Sequence, residues 1–115
     1  MEVTIYHNPK CAKSRQALAL LEARGVTPRI VEYLKTPPTR SELEKILRLL
    51  QMEPRALMRR KEPEYRKAGL DHPALTRAQL IAALVKYPKL IERPIVLARG
   101  QAALGRPPEN VLKIL

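Results

Sequence analysis

The chain holds one cysteine, Cys11, in the run Ile5-Tyr6-His7-Asn8-Pro9-Lys10-Cys11-Ala12-Lys13-Ser14-Arg15. A β-rich stretch ends there and a helix-forming stretch begins. A thiol at that junction sits at the positive end of a helix, where the thiolate is favoured. Lys10, Lys13 and Arg15 add positive charge, and His7 lies four residues upstream. A lone cysteine is more commonly a small, buried apolar residue. The polar and cationic neighbours point instead to a reactive thiol. Cys11-Ala12-Lys13-Ser14 has the spacing of a dithiol motif with serine in the resolving position. Cys11 can therefore attack an electrophile, but an external thiol must release it. Ser14 can donate a hydrogen bond to the thiolate or to a bound oxyanion. His7 can stabilise the thiolate as imidazolium, move a proton, or simply hold the loop backbone.

Arginines precede prolines or cluster at Arg59-Arg60, Arg93-Pro94 and Arg106-Pro107. The guanidinium is a planar, bidentate donor suited to tetrahedral oxyanions. His7, His72 and Cys11 lack metal-site spacing, so no metal is expected. There is no glycine-rich phosphate loop.

The surrounding elements must position these groups. Val3-Thr4-Ile5-Tyr6 reads as a strand and His7-Asn8-Pro9-Lys10 as a loop, since Asn-Pro disfavours helix at Asn8. Ala12 to Arg24 reads as a helix with Ala17, Leu18, Leu20 and Leu21 on its apolar face, closed by Gly25. Arg29 to Tyr33 is a second strand, which makes a right-handed parallel βαβ unit. Capping boxes at Thr39/Glu42 and Thr76/Gln79 start two helices with apolar stripes Leu43-Ile46-Leu47-Leu50 and Leu80-Ile81-Leu84-Val85. Between them, Pro54 to Arg60 and Glu62 to Lys67 read as short helices, and Tyr87-Pro88 ends the helical segment. Pro94 to Leu97 is a strand, Arg99-Gly100 a two-residue turn, and Gln101 to Leu104 its hairpin partner. A last helix starts at Pro107 or Pro108, with Val111, Leu112 and Leu115 as its apolar face.

The expected class is α/β: β-α-β and β-β-α with an all-helical insertion over about residues 39–87, in one domain spanning 1–115. That is the layout of a thioredoxin-like fold. In such folds the reactive cysteine starts the first helix, and a cis-proline facing it begins the strand before the hairpin. Pro94 occupies that place, so a cis Arg93–Pro94 bond is expected and Arg93 should face the thiol.

The chain has 115 residues, no Trp or Phe, four Tyr, and a net charge of +11 from 22 Lys and Arg against 11 Asp and Glu. That excess suits anionic partners, but most of the cations are scattered along helices as solvated side chains. With no aromatic platform or basic block, no nucleic acid is expected as a partner. No apolar run approaches the roughly 20 residues needed to span a membrane. One cysteine rules out an internal disulfide, and nothing resembles a signal peptide, so a cytoplasmic location is expected.

Together these residues resemble the glutaredoxin-dependent arsenate reductase family. The carrying pieces are the run Ile5 to Arg15, Tyr33-Leu34-Lys35-Thr36-Pro37-Pro38-Thr39, Arg55-Ala56-Leu57-Met58-Arg59, Glu92-Arg93-Pro94-Ile95-Val96 and Gly105-Arg106-Pro107. Their order and spacing match from about Val3 to the end. The resemblance implies that Cys11 is the nucleophile and that His7 helps keep it ionised. It further implies that Arg59, Arg93 and Arg106 hold the oxyanion, with Asn8, Ser14 and Arg15 in support. Lys10 and Lys13 depart from the small residues that often bracket the cysteine. The chain looks closer to a short, tail-less, arsenate-reductase-like branch. The implied activity is reduction of arsenate to arsenite with glutathione as co-substrate and glutaredoxin as partner, by a monomer with no bound cofactor. Two other readings are another monothiol glutaredoxin-like redox enzyme and a non-enzymatic, Spx-like regulator that binds RNA polymerase. Such regulators usually carry a two-cysteine switch, which a single cysteine cannot form.

Overall fold

A computed structural model describes residues 1–115 as two compact units, Met1–Thr36 with Arg93–Leu115 and Pro37–Glu92. The first unit is built on a four-stranded sheet in the order β2-β1-β3-β4. Its strands are β1 (Val3–His7), β2 (Arg29–Glu32), β3 (Ile95–Ala98) and β4 (Gln101–Leu104). β1 pairs parallel with β2 and antiparallel with β3, and β3 pairs antiparallel with β4. Helix α1 (Ala12–Ala23) makes the crossover from β1 to β2. This is the thioredoxin-like β-α-β and β-β-α arrangement.

One face of the sheet carries a core cluster that joins α1 to the C-terminal segment. Val3, Ile5, Val96, Ala98 and Ala103 meet Ala17 and Leu21 of α1, and Val111 and Ile114 of the C-terminal segment. A fully buried Leu or Ile contributes about 1.5–3 kcal/mol, so Ile5 and Leu21, with no exposed surface, anchor the layer. The hairpin turns on Arg99 (φ 53°) and Gly100 (φ 70°). Two successive positive φ angles make the type I′ turn whose twist matches paired strands.

The last segment, Pro108–Ile114, is a 3₁₀ helix rather than an α-helix. Its buried residues, Pro108, Val111 and Ile114, recur every third position. That is the 3₁₀ period, not the spacing of the apolar face expected from Val111, Leu112 and Leu115.

In the second unit, α2 (Arg40–Leu50) and α4 (Arg77–Lys86) pack together. Leu43, Ile46 and Leu47 of α2 and Leu80, Ile81 and Leu84 of α4 are buried. Both expected capping boxes form. Thr39 Oγ1 accepts from Glu42 N–H at 3.1 Å and Thr76 Oγ1 from Gln79 N–H at 3.2 Å, and each N3 side chain returns to the threonine N–H. The helix expected over Pro54–Arg60 is shorter, a 3₁₀ turn over Pro54–Leu57. Met58 bridges to Ile91 and takes the chain out of helical conformation. A short α3 (Pro63–Lys67) follows, and a 3₁₀ turn (Pro88–Leu90) leads out of α4.

Candidate active site

The sheet register gathers the chemistry of the first unit at one end. Tyr6 on β1 stands opposite Ile95 on β3, and Ile95 stands opposite Leu104 on β4. Because β3 runs antiparallel to both neighbours, the end of β1, the start of β3 and the end of β4 coincide. His7 ends β1, Arg93-Pro94 precedes β3, and Gly105-Arg106 follows β4. The loop to Cys11 leaves the same end.

Cys11 is the N-cap residue of α1, in extended backbone, and no side-chain hydrogen bond caps this helix. The thiol is half-buried. Burial works against ionisation, but it is outweighed by the Ser14 N–H, the charge and hydrogen bonding of the Arg93 guanidinium, and the Lys13 N–H. The net effect holds the thiol below its ordinary pKa. Ser14 and Lys13 are the N3 and N2 positions, whose N–H groups lack partners inside a helix. The helix start thus presents its unspent donors to sulfur.

Two arginines stand at this end. The Arg93–Pro94 and Arg106–Pro107 bonds are both cis. Arg93 Nε is buried without a hydrogen-bond partner. The Arg93 guanidinium lies close enough to the thiol to act on it by charge and hydrogen bonding. Arg106 Nε donates to the Arg93 carbonyl at 3.2 Å, which ties the two arginine-bearing loops together. Asn110 Nδ2 donates to the Arg106 carbonyl at 3.0 Å, and Gly105 N–H to the Pro94 carbonyl at 2.8 Å. A Cβ on Gly105 would lie 2.6 Å from Pro94 Cγ and 3.3 Å from Val111. Only glycine lets the two loops approach this closely. The roles of Gly105 and Asn110 are absent from the sequence reading, where only the run Gly105-Arg106-Pro107 drew notice.

The Cys11 loop is tightly hydrogen-bonded. Cys11 N–H donates to the Asn8 carbonyl at 3.0 Å, and Lys10 N–H to Asn8 Oδ1 at 3.0 Å. Arg15 Nη1 donates to the Pro9 carbonyl at 2.9 Å and braces the loop from the helix. Ser14 Oγ lies 2.6 Å from His7 Nδ1 and accepts from Asn8 N–H at 3.0 Å. The serine hydroxyl therefore serves His7 and the loop rather than sulfur, and the Ser14 backbone N–H serves sulfur. Burial lowers the His7 pKa, Glu32 opposes that shift and Arg15 reinforces it. Lys10 and Lys13 are exposed.

Arg59 belongs to the second unit. Its Nη1 pairs with Glu62 at 2.6 Å and its Nε with Glu92 at 3.5 Å. Its own N–H donates to the Leu90 carbonyl at 2.7 Å. The guanidinium is thus held between two carboxylates. No group of three or more His, Cys, Asp or Glu could hold a metal ion, and no helix is long and apolar enough to cross a membrane.

The model of the ArsC family matches residues 6–114. The chain is 50% identical over 115 residues to an arsenate reductase of Neisseria meningitidis serogroup A, covering 99% of this chain and 98% of that one. It is 46% identical over 116 residues to an arsenate reductase of Haemophilus influenzae, covering both completely. The solved structure of an arsenate reductase from Vibrio cholerae superposes with a TM-score of 0.97 at 52% identity, over 100% of this chain and 98% of that one.

Proposed function

The chain belongs to the ArsC family, and from that premise we propose that it reduces arsenate to arsenite, with Cys11 as nucleophile and glutathione and glutaredoxin as electron donors. The observation that carries this reading is the Arg93 guanidinium acting on the Cys11 sulfur at the uncapped start of α1. The same cation that favours the thiolate attracts a tetrahedral oxyanion to it. Relatives named arsenate reductase, alike over nearly their whole length, supply the substrate.

Arsenate enters with its oxygens toward Arg93 and Arg106. The Cys11 thiolate attacks arsenic, an S–As bond forms, and an arsenate oxygen leaves as water after protonation. The arginines neutralise charge as it develops. A glutathione thiolate then attacks the Cys11 sulfur. The S–As bond breaks, its electron pair stays with arsenic, and arsenite departs. Two thiols have lost two electrons, and Cys11 is left in a mixed disulfide with glutathione. Glutaredoxin takes the glutathione by thiol–disulfide exchange and frees Cys11. The chain's single cysteine fits this external relay. Arg59 enters the proposal from the family resemblance, and its two carboxylates would fix its guanidinium while competing with an anion for it.

The test is arsenate-dependent NADPH oxidation coupled through glutathione, glutaredoxin and glutathione reductase. Wild type should turn over and Cys11→Ser should not. Absence of turnover in wild type, with Cys11 still forming a glutathione adduct, would refute the arsenate reading and leave a monothiol redox protein.

A further inference from the structure

His7 and Ser14 form a buried pair behind the thiol, 6% and 0% exposed. Their geometry fixes where the shared proton lies. Ser14 Oγ has one proton to give. Its side chain makes two hydrogen bonds, with His7 Nδ1 at 2.6 Å and with Asn8 N–H at 3.0 Å. Asn8 N–H can only donate, so it takes a lone pair of the oxygen. If Nδ1 also carried a proton, Oγ would receive two N–H donors and its own proton would face no acceptor in a site closed to water. An unmet buried hydroxyl costs about 1–3 kcal/mol.

We infer that Ser14 is a positioning residue that donates its hydroxyl proton to His7 Nδ1 and so holds His7 as the neutral imidazole protonated on Nε2. His7 is then a neutral imidazole of fixed orientation rather than an imidazolium, and it is not among the groups that act on the Cys11 sulfur. Thiolate stabilisation falls to the Ser14 and Lys13 N–H groups and to Arg93. Burial and Arg15 disfavour the cation on His7, and they outweigh Glu32, its neighbour on β2. Ser14 thus works at both ends of the site, through its hydroxyl on His7 and its backbone N–H on Cys11.

The inference rests on the proposed nucleophilic role of Cys11, but its test uses no arsenate, so the two fail separately. Two-bond proton–nitrogen correlation spectra of histidine-labelled protein read the tautomer directly, and loss of one set of signals in His7→Gln separates His7 from His72. Wild type should show His7 Nδ1 unprotonated and Nε2 protonated from about pH 8 to below the ordinary histidine pKa of about 6.5. Ser14→Ala should lose that single tautomer, and Ser14→Thr, which keeps the hydroxyl, should restore it. A protonated Nδ1 in wild type at neutral pH, as imidazolium or as the other tautomer, would overturn the inference, as would an unchanged tautomer in folded Ser14→Ala. Should Ser14→Ala fail to fold, the wild-type and Ser14→Thr spectra decide it.

Discussion

The starts of α1, α2 and α4 face the same physical problem and answer it differently. Each helix begins with N–H groups that lack partners. At α2 and α4 a threonine hydroxyl takes the N3 N–H and a Glu or Gln returns to the cap, so the donors are spent on neutral structure. At α1 the cap residue is Cys11, no side chain closes the turn, and no acidic residue lies in the first turn. The donors there are left for the sulfur. The second unit uses its helix starts for stability, and the first keeps one in reserve for chemistry.

The most severe way to break this contrast is to give α1 a conventional cap. Cys11→Ser removes the nucleophile and should lower turnover about 10³-fold or more. The same change installs a preferred N-cap residue. Below the pKa of Cys11, where the thiol is neutral and the thiolate adds nothing to the fold, it should therefore raise stability by about 1 kcal/mol, visible as an increase in urea midpoint. Loss of both activity and stability would contradict the reserve role of Cys11. Next in size is Arg93→Ala. It removes the charge beside the thiol and should cost about 1.5–3 kcal/mol of oxyanion binding, read as a roughly tenfold to 150-fold loss in kcat/KM for arsenate. Gly105→Ala should follow, because its Cβ would meet the Pro94 ring. Overpacking of this kind costs about 1–3 kcal/mol. It should lower the urea midpoint and arsenate affinity together, since the Arg93 and Arg106 loops must part. The smallest effect sharpens the other side of the comparison. Thr76→Ala should cost about 1 kcal/mol of stability and leave the rate of Cys11 alkylation unchanged.

Much of this was legible in the sequence because it is local. A capping box spans four residues, and Thr39/Glu42 and Thr76/Gln79 formed as read. The crossover β1-α1-β2 and the Arg99-Gly100 turn likewise follow from short-range chemistry. The C-terminal segment is helical and Val111, Leu112 and Leu115 all pack on the core, but deep burial at Pro108, Val111 and Ile114 gives it the 3₁₀ period. Packing on α1 and β4, not propensity, decides that period. Ser14 carries a second signal. It heads the stripe Ser14-Ala17-Leu18-Leu21, spaced i, i+3, i+4, i+7, so a polar side chain stood where a core residue belongs. Such a hydroxyl needs a buried partner, and His7 is it. The crowding at Gly105 and the tie from Arg106 to Arg93 depend on where β3 and β4 come together, which no local pattern states.

Ionisation of Cys11 is the property on which the chemistry of this site depends. The measurement is the pH dependence of iodoacetamide alkylation for wild type and Arg93→Ala. The thiolate is the reactive form, so the rate is full above the pKa of Cys11 and lost as pH falls through it. Wild type should keep its reactivity below the ordinary thiol value of about 8.5, and Arg93→Ala should lose it at a higher pH than wild type. A wild-type midpoint at or above the ordinary value, unmoved by Arg93→Ala, would contradict the claim that this helix start is held open for a thiolate.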